Sequence, residues 1–187
     1  MPIVGNTINT RDKRCERTRA AVEKSLFYYY LEHPFFEQPP VESLCKMANI
    51  STPTFYRHFR GIYEVVEASH EKVDAELAEA IQSCSSLAIC LFRLFHFVQN
   101  HEIYYRMNLY QMSFRPFRCM ASLLEPKISA YVIPDAKQRN CYEIESCFVI
   151  ELLWWIKKDH MNSDKMDTRI NAILDFTKQR AQMPLVS

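Results

Sequence analysis

Apolar residues recur every three or four positions along most of the chain, and the breaks between such runs coincide with Pro, Gly, Ser and Asn. From Asn9 and Thr10, which suit amino-terminal caps, to Glu32, the positions Val22, Leu26, Tyr29 and Tyr30 predict one long helix that ends at His33 and Pro34. After Pro39 and Pro40, Val41 to Ala48 (VESLCKMA) places Val41, Leu44, Cys45 and Ala48 on one face of a two-turn helix. A further short helix begins at Asn49 to Ser51. Ser51 or Thr52 can cap it, Pro53 fits a first turn, and Gly61 suits a left-handed stop after Phe59 and Arg60. Beyond Gly61 the same periodicity predicts helices over 62–82, 85–100, 102–112, 116–132, 135–159 and 164–181, the last capped by Ser163.

The pattern therefore predicts an all-α protein of about nine helices without internal repeats. An amino-terminal three-helix unit over 1–61 precedes a larger helical unit over 62–187. Within the first unit, two short helices separated by three or four residues are the sequence form of a helix-turn-helix. Composition narrows the picture further. With 187 residues, 48% of them hydrophobic, the chain can bury a substantial core, whereas two glycines are too few for phosphate loops or dinucleotide-binding turns.

Net charge is +1, so no bulk attraction to nucleic acid exists, but its distribution is uneven. Residues 1–60 carry nine Lys and Arg against six Asp and Glu, and residues 61–187 carry fourteen against sixteen. Seven scattered cysteines, with no Cys-x-x-Cys pair and several within apolar runs, are expected to be buried thiols of a reducing, cytoplasmic protein. No basic segment followed by an apolar stretch opens the chain, so a secretory signal is not expected. The longest apolar run, Cys147 to Ile156, is interrupted by Glu151 and is far short of the roughly 20 residues of a bilayer span, so no membrane partner is expected.

The stretch 50–59, Ile-Ser-Thr-Pro-Thr-Phe-Tyr-Arg-His-Phe, carries the chemistry of the first unit. In helical spacing Phe55 and Phe59 face inward, which leaves Thr52, Thr54, Tyr56, Arg57, His58 and Arg60 outward or at the edges. Hydroxyls, an imidazole N–H and a helix amino terminus donate to phosphate oxygens, and Arg57 is long enough to reach base edges in a major groove. A solvated amphipathic helix with no partner satisfies the same pattern.

Thr-Phe-Tyr-Arg-His-Phe, preceded by an Ile-Ser turn, an alanine two residues upstream and the helix VESLCKMA, resembles the DNA-binding unit of TetR-family regulators. The likeness extends back to Arg17-Thr18-Arg19 and covers roughly residues 15–70. Ile62-Tyr63 and Val65 are similar to a subgroup related to dihydroxyacetone-kinase regulators. The resemblance implies that Thr54, Tyr56 and His58 contact phosphate, that Pro53 packs near a thymine methyl or a sugar, and that Ser51 and Thr52 sit at the helix start. Two positions depart from the family: Pro40 replaces a capping threonine, and Ile62 replaces a lysine that contacts phosphate. Arg60, or the basic residues Lys13, Arg14, Arg17 and Arg19, are the candidates to compensate.

The same resemblance implies a homodimer on a double-stranded, palindromic operator, with an effector held by the larger unit. Two sequence features bear on this. The stretch Phe148 to Ile156 is apolar nearly all round, and Ile170, Ile173 and Leu174 recur at three and four residues. Phe148, Leu152, Trp155, Ile170, Ile173 and Leu174 are thus candidates for a two-fold interface, burial within one chain being the other reading. Phe92, Phe95, His96, Tyr104, Tyr105, Tyr110, Phe114 and Phe117 form an aromatic stripe that reads either as an effector pocket of unspecified ligand or as plain core.

No cofactor, metal site or enzymatic activity is expected. His96 and His101 lack converging ligands, and no Gly-x-Ser-x-Gly motif occurs. Apart from Cys15 beside Arg14 and Arg17, no cysteine has a basic neighbour that marks a nucleophile, and His70 falls on a helix expected to be solvated. The function expected from the chain is ligand-responsive transcriptional regulation, most often repression. A protein-interaction module on a retained helix-turn-helix scaffold and an apolar-ligand carrier or enzyme are the alternatives.

Overall fold

The computed structural model describes residues 10–33, 38–111, 113–130 and 137–181. Among these residues the chain is all helical, with α1 (Thr10–Glu32), α2 (Val41–Met47), α3 (Thr52–His58), α4 (Ile62–Gln82), α5 (Leu87–Asn100), α6 (Glu102–Tyr110), α7 (Arg115–Ser129), α8 (Lys137–Lys157) and α9 (Ser163–Ala181). The predicted elements are all present, with ends that agree within three residues and, for the helix over 62–82, without any shift. Asn9, Pro34 to Phe36, Pro134 and Asp135, to which breaks, caps or starts were assigned, lie outside the described residues.

Local chemistry sets the corners. Ser51 caps α3 by accepting from the Thr54 N–H at 3.3 Å, and Ser86 caps α5 by accepting from the Ile89 N–H at the same distance. Pro40 precedes α2 and provides no side-chain cap to that helix start. Gly61 does not take the left-handed stop expected of it. It is fully extended at φ 176° and begins α4, while Glu64 accepts from the Arg60 N–H at 2.6 Å and so caps the same turn. The left-handed positions fall instead on Asn49, His160 and Met161. Asn is the non-glycine residue best suited to such a turn, and it makes the corner between α2 and α3.

α1 packs against α2 and α3 on one side and against α4 and α6 on the other. Its Val22, Leu26 and Tyr30 are buried in the core, as the spacing predicted. α5 lies against α4, α6, α7 and α9, while α8 packs between α7 and α9. The buried apolar residues form one continuous cluster that runs from Leu44 and Phe55 to Phe148 and Trp155. The corner between α8 and α9 is fixed by polar anchors. The Trp155 indole donates to the Asn162 carbonyl at 2.9 Å, and Arg169 reaches Asp159 at 2.7 Å and Glu151 at 2.9 Å.

This packing corrects the expected dimer contacts. Phe148, Leu152, Trp155, Ile170 and Ile173 are buried within a single chain, and Leu174 is partly buried. α8 is apolar nearly all round because its inner side meets α7 and α9. Its outward apolar residues are Tyr142, Ile150 and Trp154. His70 is also placed differently: it is buried on α4 and meets the Tyr104 hydroxyl at 2.6 Å. No described helix is long and apolar enough to cross a membrane.

Truncating the fully buried Phe55 to Ala is expected to cost about 3–5 kcal/mol of stability in chemical denaturation, as deletion of a core aromatic does. Gly61→Ala is expected to change stability by about 1 kcal/mol or less, since the backbone is extended there and an added Cβ meets nothing within 4 Å.

Candidate functional site

The polar stretch predicted as a contact surface lies on α3 and its flanks. Its two phenylalanines are inward, Phe55 at 0% exposure and Phe59 at 2%, and their rings pack at 5.6 Å. Phe59 is not itself helical; its backbone is extended and its N–H still donates to the Phe55 carbonyl. With those two rings anchored, Ser51, Pro53, Tyr56, Arg57 and Arg60 are exposed, while Thr52, Thr54 and His58 are partly covered. Tyr56 stands out at 57% exposure, an unusual position for a large ring.

A chain of hydrogen bonds organises one face of this helix. Ser51 and Thr54 share a hydrogen bond between their hydroxyls at 2.9 Å, and Arg57 Nη2 donates to Thr54 Oγ1 at 3.0 Å. Three residues at a spacing of three thus hold the Arg57 guanidinium along the helix, with its remaining N–H donors free for a ligand. Beside this row runs a groove of about 730 Å³ between α3 and the start of α1, lined by Arg14, Thr18, Asn49 and Ile50 together with Ser51, Thr54, Arg57 and His58. No acidic residue lines it among the described residues, and its two arginines set its potential.

Two residues assigned as contacts have other surroundings. The Arg19 guanidinium lies 4.6 Å from the Phe59 ring centroid, and its Nη1 donates to the His58 carbonyl at 3.2 Å. Arg19 therefore fastens the end of α3 to α1 rather than projecting outward, while Lys13, Arg14 and Arg17 are exposed on α1. Burial, followed by the charges of Arg19 and Arg57, holds the His58 imidazole below its ordinary pKa. At neutral pH His58 is thus an uncharged donor. Ile62 is buried and offers nothing to a phosphate.

Thr18 and Asn49 line the groove but carried no signal of their own. Thr18 donates to the Arg14 carbonyl one turn back, and Asn49 is a turn residue; only the packing of α1 against α3 brings both to the groove wall.

The aromatic stripe of the larger unit does not form one pocket wall. Phe95 packs on Trp155 at 5.0 Å, and Tyr105 lies 5.1 Å from Tyr104 and 5.8 Å from Phe117, all within the core. Phe92 and Phe114 face outward at 47% and 49% exposure, and His96 lies against Phe92 at 4.4 Å. The Tyr110 side chain lies outside the described residues. Of the stripe, Tyr104 alone lines the separate cleft between α1, α4 and α6. Tyr105 Oη is buried without a hydrogen-bond partner among the described residues, and burial pushes both tyrosine hydroxyls up in pKa.

Burial likewise pushes the Cys90 and Cys119 thiols up to about 11, which keeps them protonated and poorly nucleophilic. All seven cysteines are free. Among the described residues no group of three His, Cys, Asp or Glu is arranged to hold a metal ion.

No protein-family model, curated protein or solved structure matches the chain. The fold itself defines an all-helical protein of nine described helices, with a cationic groove at one end.

Arg19→Ala is expected to lower stability by about 1–2 kcal/mol, from a stacked cation and one hydrogen bond, in thermal or urea unfolding. An Arg19→Ala protein of unchanged stability would mean that the arginine is not a fastening between α1 and α3.

Proposed function

We propose that this protein is a DNA-binding transcriptional regulator of the TetR type, in which α2 and α3 act as a helix-turn-helix and α3 reads a major groove. The observation that carries the reading is the Ser51, Thr54 and Arg57 row beside a groove whose described lining holds two arginines and no acidic residue. Its donors are held in place before any ligand arrives, and they are of the kinds that bind phosphate oxygens and base edges. Tyr56, Thr52, Pro53 and His58 flank that row, and Arg60, Arg17 and Arg14 extend it along the backbone track. Thr54 is already engaged by Ser51 and Arg57, so in this reading it positions Arg57 as well as touching DNA.

The regulator acts as a homodimer on a palindrome, with half-sites about one helical turn, roughly 34–36 Å, apart or at a multiple of it. The outward apolar residues Tyr142, Ile150 and Trp154 of α8 support a two-fold contact displaced by one helix face from the residues first expected. Effector binding in the larger unit biases the separation of the two α3 helices, and repression is the expected outcome. A second reading, docking of a protein partner, draws support from the exposed Met47, Tyr56 and Tyr63 near the same end.

Selection of purified protein against random duplexes at two salt concentrations tests the reading. A palindrome enriched at low salt and lost at high salt is expected, because released counterions make phosphate binding salt-dependent. Enrichment at neither salt would turn the assignment to the protein partner. On the selected duplex, Tyr56→Phe and His58→Ala are each expected to weaken binding roughly tenfold or more, since a hydrogen bond to charged phosphate contributes about 1.5–3 kcal/mol. Unchanged affinity in both variants removes them from the contact set. Ile150→Glu is expected to shift the protein to a monomer in light scattering while leaving its helical content intact.

A further inference from the structure

Between α1, α4 and the corner joining α5 to α6 lies a cleft of about 440 Å³. Its volume is that of a small-molecule site. Phe27, Val73 and Tyr104 contribute apolar surface, with the Phe27 and Tyr104 rings meeting edge to face at 5.8 Å. Among the charged and titratable lining residues, Glu23, Glu76 and Glu102 outnumber Lys72 and His101, and Ser69, Gln99 and Asn100 complete the polar lining.

Glu23 is the unusual member. It is only 9% exposed, yet no described group donates a hydrogen bond to its carboxylate. Its one cationic neighbour is Lys72 Nζ at 3.6 Å, on a side chain 55% exposed to solvent. By contrast, Glu76 accepts from His101 Nε2 at 2.9 Å, and Glu102 pairs with Arg106 at 2.7 Å. The Glu23 carboxylate oxygens keep contact with solvent in the cleft and are held only by a lysine beyond hydrogen-bond distance, so they stay open to a closer cationic donor.

We propose that this cleft binds an organic cation, an amine or amidinium on a small aromatic or aliphatic body, with Glu23 as its ion-pair partner and Lys72 as the plug it displaces. The cation donates to Glu23, and its body lies against Phe27 and Tyr104, whose ring faces and edges suit a cationic or aromatic guest. Glu76 raises the negative potential of the opposite wall. The walls belong to three separate helices, so an occupied cleft fixes α1 against α4 and α6. A consequence for operator affinity would rest on the DNA-binding function proposed above, whereas the binding itself does not.

Calorimetric titration of the full chain with phenethylamine, benzamidine and benzyltrimethylammonium, against neutral 2-phenylethanol, tests the site. At least one cation is expected to bind roughly tenfold or more tightly than the alcohol. Glu23→Gln is expected to weaken that binding by a similar factor, and Lys72→Met, at an exposed position, to tighten it several-fold. No cation binding in the millimolar range, or a cation affinity that neither substitution alters, would overturn the proposal. Should Glu23→Gln fail to fold, as a thermal melt would show, Lys72→Met decides: tighter binding supports the site and unchanged affinity rejects it. Because the titration contains no DNA, its outcome is separate from that of the duplex selection.

Discussion

Burial of the inner stripe of α1 is the constraint on which the rest of the molecule depends. α1 packs against the short pair α2 and α3 and against the longer helices α4 and α6, and its Val22, Leu26 and Tyr30 are buried in the common core. One 23-residue helix thus belongs to both ends of the structure, and any change in its tilt is felt by both. A seven-residue α3 is too short to hold itself together, so its place depends on packing against α1 and α2. Arg19 completes the seating by stacking on Phe59 and tying down the last carbonyl of α3.

With only two glycines the chain turns its corners by other means. Asn49 takes the left-handed position between α2 and α3, and His160 and Met161 take it between α8 and α9. A left-handed histidine and methionine are uncommon, and the surroundings of this corner show what holds it. Met161 is buried, its N–H donates to the Trp155 carbonyl, and its own carbonyl accepts from Gln99 on α5. Arg169 closes the same corner by bridging Asp159 and Glu151. The aromatic anchor ties α8 to the corner, the ionic one ties α9 to both, and Gln99 adds a tie from α5.

The two polar regions of the molecule differ in kind. Around α3 the donors are exposed, prearranged by Ser51 and Thr54, and surrounded by positive charge. In the cleft between α1, α4 and α6 the charge is mostly negative, and the deepest carboxylate is poorly matched. α1 carries residues of both, Arg14 and Thr18 toward the groove and Glu23 and Phe27 toward the cleft, only a few turns apart. The physical link between the two regions is therefore a single rigid helix.

The sequence alone determined the helical class, the number and approximate limits of the helices, and the inward direction of Phe55 and Phe59. These follow from periodicity and from capping residues, which act within one or two turns. It also marked the α3 surface, because Thr54, Tyr56 and Arg57 are polar at positions that helical spacing turns away from two phenylalanines. Only the tertiary structure decided which apolar faces were already occupied. An amphipathic pattern records that a face is buried but not what buries it, so Phe148, Leu152 and Trp155 read equally well as a dimer seam or as core. The same reason hid the inward His70, the fastening role of Arg19 and the cleft around Glu23. Each depends on a side chain from a distant helix arriving at the same place, Tyr104 for His70, Phe59 for Arg19 and Lys72 for Glu23, and no local spacing encodes that meeting.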